Sequence, residues 1–441
     1  MSITAVAIDL EVDFAELFTA VAEEPWALLL DSCEHPTSRY DFIFRQPEQV
    51  VTQSDDWPTQ LHQLLTQLPK YQGPVDLPFQ GGLAGALSYD AGRALERLPT
   101  QAKRDIDVPE IAVGLYTQAL IRCRLSKTTW LVAPQQQLET LKDFWQRRAT
   151  SAKSVDDFKL TAPWQSNISA TDYQHKFAQV QEYLHAGDCY QINLAQRFSA
   201  PFSGDPWRAY QHLRASNQAP FSGFMRLTDG AILSHSPERF LQVDASGHVQ
   251  TKPIKGTRPR ADDASADHAL ANELQHAAKD RAENVMIVDL LRNDLSRVCL
   301  PGSVNVPQLF AIESYAAVHH LVSTVEGKLE HPTQALELIA ACFPGGSITG
   351  APKIRAMEII DELEPHRRSF YCGSLGYISQ HGAADTNIAI RTLVTTAEHI
   401  YCWAGGGLVV DSDGVAEYQE TLDKVAKILP VLTATLEPEA L

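Results

Sequence analysis

The sequence predicts an α+β protein built on large antiparallel sheets. Three observations lead there. Short apolar runs broken by polar turns fill the first 130 residues, as at Trp26-Ala27-Leu28-Leu29-Leu30. Strand-like and helical segments are then mixed along the remainder. The chain has 441 residues and is 44% hydrophobic, enough for a sizeable core. Its length suggests two or three domains, or one large intertwined unit.

The elements follow in order. Residues 133–166 change character: Gln135-Gln136-Gln137 leads into a helical stretch, and 147–157 is polar and serine-rich. A boundary is expected there, between an N-terminal region 1–150 and a second region 165–430. From Thr171 the spacing of Tyr173, Phe177, Val180 and Leu184 predicts a helix. Thr171 with Gln174 fits a capping box, and Gly187 fits the far end. A strand follows, with Tyr190, Ile192 and Leu194 on one face and Gln191 and Asn193 on the other.

Residues 236–243 and 249–254 read as two strands about the turn Ala245-Ser246-Gly247. A long helix is expected over 267–297, ended by Pro301-Gly302. Beyond it come a helix over 333–342, strands over 375–379, 388–394 and 400–410, and a last helix over 416–429.

The formal charge of −17 argues against nucleic acid and anionic membranes as partners. An anionic metabolite would need a local positive site. The seven cysteines, odd in number and without a C-x-x-C pair, argue against a disulfide framework and a thiolate metal site. With no basic-then-apolar N-terminus and no apolar run near membrane-spanning length, the expected location is the cytoplasm.

Several residue sets can carry chemistry. Glu417, Glu420 and Lys424 fall on one face of the last helix, and Asp280 and Glu283 stand at i and i+3 on the long one. Hard divalent cations such as Mg²⁺ take oxygen ligands of this kind. Spacing alone is equally met by two solvated helix faces. Lys255, in Pro253-Ile254-Lys255-Gly256-Thr257, is either a solvated surface charge or, near a bound cation, a neutral nucleophilic amine. The run Gly345-Gly346-Ser347-Ile348-Thr349-Gly350-Ala351-Pro352-Lys353 lacks the G-K-[ST] ending of an ATP-binding loop. Its amides remain suited to a carboxylate. Arg391 lies on the strand face opposite Ile388 and Ile390, where it either meets solvent or grips a carboxylate. The three glycines 405–407 allow close backbone approach to a ligand.

These segments together resemble the chorismate-utilising enzyme family, which includes the anthranilate, isochorismate and salicylate synthases. The resemblance rests on Gly187-Asp188-Cys189-Tyr190-Gln191-Ile192-Asn193-Leu194, Ser236-Pro237-Glu238-Arg239-Phe240, the Lys255 pentapeptide, Ala282-Glu283-Asn284-Val285-Met286, Gly350-Ala351-Pro352-Lys353, Ile390-Arg391-Thr392 and Glu417-Tyr418-Gln419-Glu420-Thr421. It is strong over 165–430, the chorismate-binding catalytic region, and weaker over the N-terminal region.

The resemblance implies two large antiparallel sheets packed as a sandwich, helices outside, and an active site in the cleft between them. It implies conversion of chorismate and ammonia to 4-amino-4-deoxychorismate with Mg²⁺, in the 4-aminobenzoate branch of folate synthesis. Lys255 would form a covalent adduct at C2 and ammonia would add at C4. Anthranilate synthases carry Ala where this chain has Lys255, so anthranilate formation with loss of pyruvate is the alternative. Mg²⁺ would sit on Glu283 and Glu420, supported by Asp280 and Glu417. Glu238 would be the acid–base group. Gln191, where the water-using members have Lys, argues against water as nucleophile. His320 would bind or orient. Arg391, Tyr377, Gly256, Thr257, Thr349, Gly406, Gly407 and Lys424 would hold the substrate.

No amidotransferase region with a Cys/His/Glu set is recognisable, so ammonia would come from a separate glutaminase subunit or from solution. The protein would be a monomer or a heterodimer with that subunit. Ser32 and Pro220 mark the stretches where family members hold tryptophan. The second stretch, Asn217-Gln218-Ala219-Pro220-Phe221, departs from the N-P-x-P-Y form, which argues against regulation and leaves a structural tryptophan open.

Overall fold

A computed structural model describes residues 2–36, 38–74, 76–150, 155–314 and 318–436. Among them, 13 strands form one antiparallel sheet and 10 a second. Both sheets mix strands from the two ends of the chain. In the larger, Leu28–Asp31 pairs with Phe221–Leu227, Asp31 opposite Ser222. In the smaller, Gly82–Leu87 pairs with Ser374–Ser379, Ala84 opposite Tyr377. The main apolar core draws on both sheets and includes Phe42, Phe44, Phe79, Leu83, Tyr116, Met225, Leu375 and Trp403. A second core joins Phe18, Trp145, Trp207 and Phe224 under the helices that cover the larger sheet. The α+β sandwich expected from the sequence is therefore the observed fold. Residues 151–154 of the expected boundary stretch lie outside the described residues.

The helix expected from Thr171 runs Ala170–Ala186. Its cap is Ser169 with Asp172, each side chain bonded to the other's backbone, rather than Thr171 with Gln174. Gly187 closes it at φ +82°, as expected. Tyr190 precedes the Gln191–Ser203 strand and is 70% exposed, so it does not share the buried face of Ile192 and Leu194.

Three further departures matter for function. First, 236–243 is not one strand. Gly230–Ser236 belongs to the larger sheet and Arg239–Val243 to the smaller, and the chain crosses between them at Pro237-Glu238. Second, 388–394 is also split. Ala384–Asn387 lies in the smaller sheet and Thr392–Thr395 in the larger, so Arg391 sits on a crossing, at φ +50°, and not on a strand face. Third, the long helix is two, Ala264–His276 and Ala278–Ser296, broken at Ala277. Good helix formers flank the break, so local propensity hides it. The two helices instead close on Gly256, at φ +81°: a Cβ there would meet Leu274 and Asp280 side chains, each at 2.8 Å. The last helix likewise stops at Lys424, and a separate turn of helix runs Leu429–Thr433.

Candidate active site

The two crossings run side by side. Ile388 N donates to Glu238 O (3.0 Å) and Ser236 Oγ to Ile388 O (2.6 Å). His235 N donates to Arg391 O (3.0 Å). Glu238 and Arg391 are thus set by main chain at the junction of the sheets. Ser347, in the short 3₁₀ turn Gly346–Ile348, donates Oγ to Glu238 Oε1 at 2.9 Å. The same residue's carbonyl accepts from Lys255 Nζ at 3.3 Å. One serine therefore touches both the amine and the carboxyl group.

Burial pushes Glu238 up to about 6, against the Lys255 charge and the Ser347 hydroxyl, which lower it. Burial pulls the Lys255 amine below the usual lysine value, and Glu283 and Glu238 oppose that only in part. Each group is moved toward its neutral form, which suits a nucleophilic amine beside a proton-donating acid. Arg391 is also pulled down by burial. Among the described residues no carboxylate pairs with it. A mostly buried guanidinium without an anion is suited to a substrate carboxylate.

The four acids converge from two helices. Glu417 accepts from Ser412 Oγ (2.7 Å) and lies 3.6 Å from Lys279 Nζ. Glu420 pairs with Lys424 at 2.6 Å, and Asp280 with Arg258 at 3.2 Å. Burial raises Glu283, while Lys255 and Lys279 lower it in part. Burial also raises Glu420, but its Lys424 partner outweighs that and holds it below the usual range. A Cβ on Gly406 would stand 3.1 Å from Glu417 Oε2 and 3.6 Å from Glu420 Oε1, which puts the glycine-bearing end of the His399–Leu408 strand beneath these carboxylates. Lys424 Nζ also donates to Gly405 O (2.8 Å).

Among the described residues no group of three or more metal-ligating side chains is drawn to ligand distance. The donor set itself is all hard oxygen, and three of the four carboxylates are compensated by Lys or Arg. That chemistry fits a divalent cation such as Mg²⁺.

Gln191 and Asn193 complete one wall. Gln191 Nε2 and Oε1 and Asn193 Oδ1 are buried without partners among the described residues. The Gln191 amide lies where a Cβ of residue 407 would be, so only glycine fits there. Asn193 N donates to Thr349 O (2.9 Å), tying this strand to the 345–350 loop. Thr257 Oγ1 and His320 Nδ1 are 2.8 Å apart on neighbouring strands. Burial, then the Arg391 charge, lowers His320 to about 4, so it is neutral near pH 7. His319 turns away, toward Ser314 (2.7 Å) and Asp267 (3.0 Å).

Some expected residues are not brought to this set. Tyr377 packs on Phe42 and Phe79, with ring centroids 4.7 and 6.0 Å away, and the charged groups near it are Asp385 and Arg239. Its strand pairs with Gly82–Leu87, which the sequence pattern alone does not reveal. Ser32 receives Arg124 (3.3 Å), and Pro220 O accepts from Ser38 (3.3 Å). Both border a separate polar cluster in which Asp31 binds Arg214 (2.6 Å) and Tyr210 (3.0 Å). Sequence reasoning missed Ser347 and Lys279. Ser347 lay inside a loop read only for its amides, and Lys279 one residue before a noted acid.

The site residues thus form one cluster where the two sheets and two helices meet, and the comparisons say to what class of protein it belongs. The chorismate binding enzyme family matches residues 26–430. The chain belongs to that family. It is 49% identical to aminodeoxychorismate synthase component 1 of Salmonella typhimurium over 97% of this chain and 98% of that one. It is 50% identical to the protein of the same name from Escherichia coli, over 95% and 96%. The crystal structure of anthranilate synthase component I from Streptococcus pneumoniae superposes with a TM-score of 0.78, at 29% identity, covering 90% of this chain and 93% of that chain.

Proposed function

We propose that this chain is the synthase component that converts chorismate and ammonia to 4-amino-4-deoxychorismate. The observation that carries this reading is the Lys255–Ser347–Glu238 arrangement, an amine and a carboxyl group joined through one serine. The naming of its near-full-length relatives supports the same reaction.

In the proposed sequence, Arg391 binds a substrate carboxylate. Neutral Lys255 bonds to C2, both conjugated ring double bonds shift by one position, and the C4–O bond breaks. Glu238 gives its proton to the departing hydroxyl, which leaves as water. Ammonia then bonds to C4, both double bonds shift back, and the C2–N bond to Lys255 breaks. Glu238 takes up a proton in this half. The enolpyruvyl group is retained throughout. Glu283 and Glu420, with Asp280 and Glu417 beside them, are the residues that would hold Mg²⁺. When bound, the cation would neutralise a substrate carboxylate and act as a Lewis acid. Gln191, with no acid–base chemistry of its own, lines the site without activating water.

The word "component" in the relatives' names supports a separate partner that supplies ammonia. Seven buried free cysteines support a reducing, cytoplasmic setting. Among the described residues no helix is long and apolar enough to cross a membrane.

A product assay decides the reaction. With chorismate, ammonium and Mg²⁺, the chain should yield a product that gives 4-aminobenzoate only after a lyase is added. Direct appearance of fluorescent anthranilate would instead assign the alternative reaction.

A further inference from the structure

Arg368 is among the most deeply buried side chains of the molecule, 1% exposed, and no step above uses it. It forms a two-pronged pair with Glu364, Nε to Oε2 at 2.9 Å and Nη2 to Oε1 at 2.6 Å. Two of its three remaining N–H donors go to main chain. Nη1 donates to Ile348 O (3.1 Å) and Nη2 to Asn193 O (2.7 Å). Glu364 Oε1 also accepts from Ala195 N (2.9 Å). The Tyr89 and Tyr371 rings flank the guanidinium, 5.0 and 5.7 Å away. This one ion pair therefore joins two site elements that, among the described residues, otherwise hydrogen-bond at Asn193–Thr349 and in a short pairing beyond it. One is the turn carrying Ser347; the other is the strand carrying Gln191 and Asn193.

Stability alone gives little reason to keep such a pair. Replacing a buried ion pair by apolar residues of like volume is often neutral or stabilising. What an apolar pair cannot do is fix two carbonyl oxygens at defined points. Arg is suited to this because its donors form a rigid fork.

We infer that Arg368, held by Glu364, is a positioning residue that sets the Gly346–Ile348 turn so that Ser347 meets Glu238 and Lys255 at once. The inference rests on the active site proposed above. It makes Arg368 act through Ser347, not on the substrate.

The test is a mutant cycle on the full chain, read as chorismate loss with ammonium and Mg²⁺. Product identity is scored separately, so failure of the proposed reaction and failure of the clamp are distinguishable. Arg368→Met/Glu364→Met removes both buried charges together. It should fold, keep its KM within about threefold, and lose kcat by an order of ten- to a hundredfold, as displaced catalytic groups do. Ser347→Ala should lose kcat on its own. Combining the two should cost no more than the worse one alone, because residues acting as one unit are not additive.

If the paired Met variant does not fold, Arg368→Lys keeps the charge on Glu364 and allows the same cycle. There too, adding Ser347→Ala should add nothing. Losses that multiply in either cycle, or full kcat in the paired Met variant, would overturn the inference.

Discussion

Glu238 and Arg391 on one side, and the carboxylates of the two helices on the other, reach the same cleft by different means. The first pair stands on adjoining sheet crossings, fixed by backbone bonds such as Ile388 N to Glu238 O. Their main chain is fixed before any ligand arrives. Glu417, Glu420 and Asp280 are held instead by Lys279, Lys424 and Arg258, and Lys279 is 54% exposed at its side chain. An exposed lysine is a weak and movable partner. The difference teaches that the part of the site proposed for proton and bond chemistry is built rigidly. The part suited to a metal is left to exchange one cation for another.

The strongest way to break that comparison is at Lys255, whose amine meets the Ser347 carbonyl beside Glu238. Lys255→Ala should retain the fold and lower kcat on the order of 10³-fold, as loss of a covalent nucleophile does. Intact-mass measurement of the wild type during turnover should show a chorismate-derived adduct that the variant lacks. Unchanged turnover with ammonia in the variant would remove Lys255 from the mechanism.

Glu238→Gln should lower kcat by roughly 10²-fold or more. It also gives a stability signature. Glu238 titrates near 6 in the folded protein, above the ordinary glutamate value of 4.5. Wild type therefore loses stability as pH rises through that window, because the unfolded chain ionises first. The amide does not titrate. The variant should match wild type below about pH 4 and exceed it by roughly 2 kcal/mol above pH 7. Thermal midpoints that stay parallel across this range would show that Glu238 is not held neutral.

On the exchangeable side, Glu283→Gln should weaken Mg²⁺ binding by about 10- to 100-fold, seen by calorimetry on the enzyme without chorismate. Lys279→Met should act in the opposite direction. It removes a competing cation from Glu417 and from the field at Glu283, so Mg²⁺ should bind up to about fivefold more tightly, the scale of one exposed ion pair. The gain should shrink at high salt. Weaker Mg²⁺ binding in this variant would mean that Lys279 supports the carboxylates and does not stand in for the metal.

The same contrast explains what the sequence made legible. The helix-borne acids were readable because a helix turns about 100° per residue, so Glu417, Glu420 and Lys424 had to share a face. Sheet crossings have no such period. Residues 236–243 and 388–394 each read as a single strand; Pro237, which a strand interior disfavours, is the one local mark of the first change of sheet, and nothing local marks the change before Arg391. The break at Ala277 was hidden for a related reason, since it comes from packing on Gly256 and not from a breaking residue. Ser347 and Arg368 matter through partners 109 and 175 residues away, and such contacts are set only when the sheets assemble.

The smallest expected effect concerns Tyr377, which sharpens the boundary of the rigid region. The family resemblance suggested a carboxylate contact, but its ring packs tilted on Phe42 and edge-on to Phe79, and burial pushes the phenol well above its usual value. No hydrogen bond to its hydroxyl occurs among the described residues. Removing a hydroxyl without a partner is nearly neutral, whereas removing one that binds a substrate carboxylate leaves that charge short of a donor. Tyr377→Phe should therefore keep KM for chorismate within about twofold and stability within about 0.5 kcal/mol. A KM raised tenfold or more with stability unchanged would place the hydroxyl on the substrate. It would also mean that this strand moves toward the two crossings when chorismate binds.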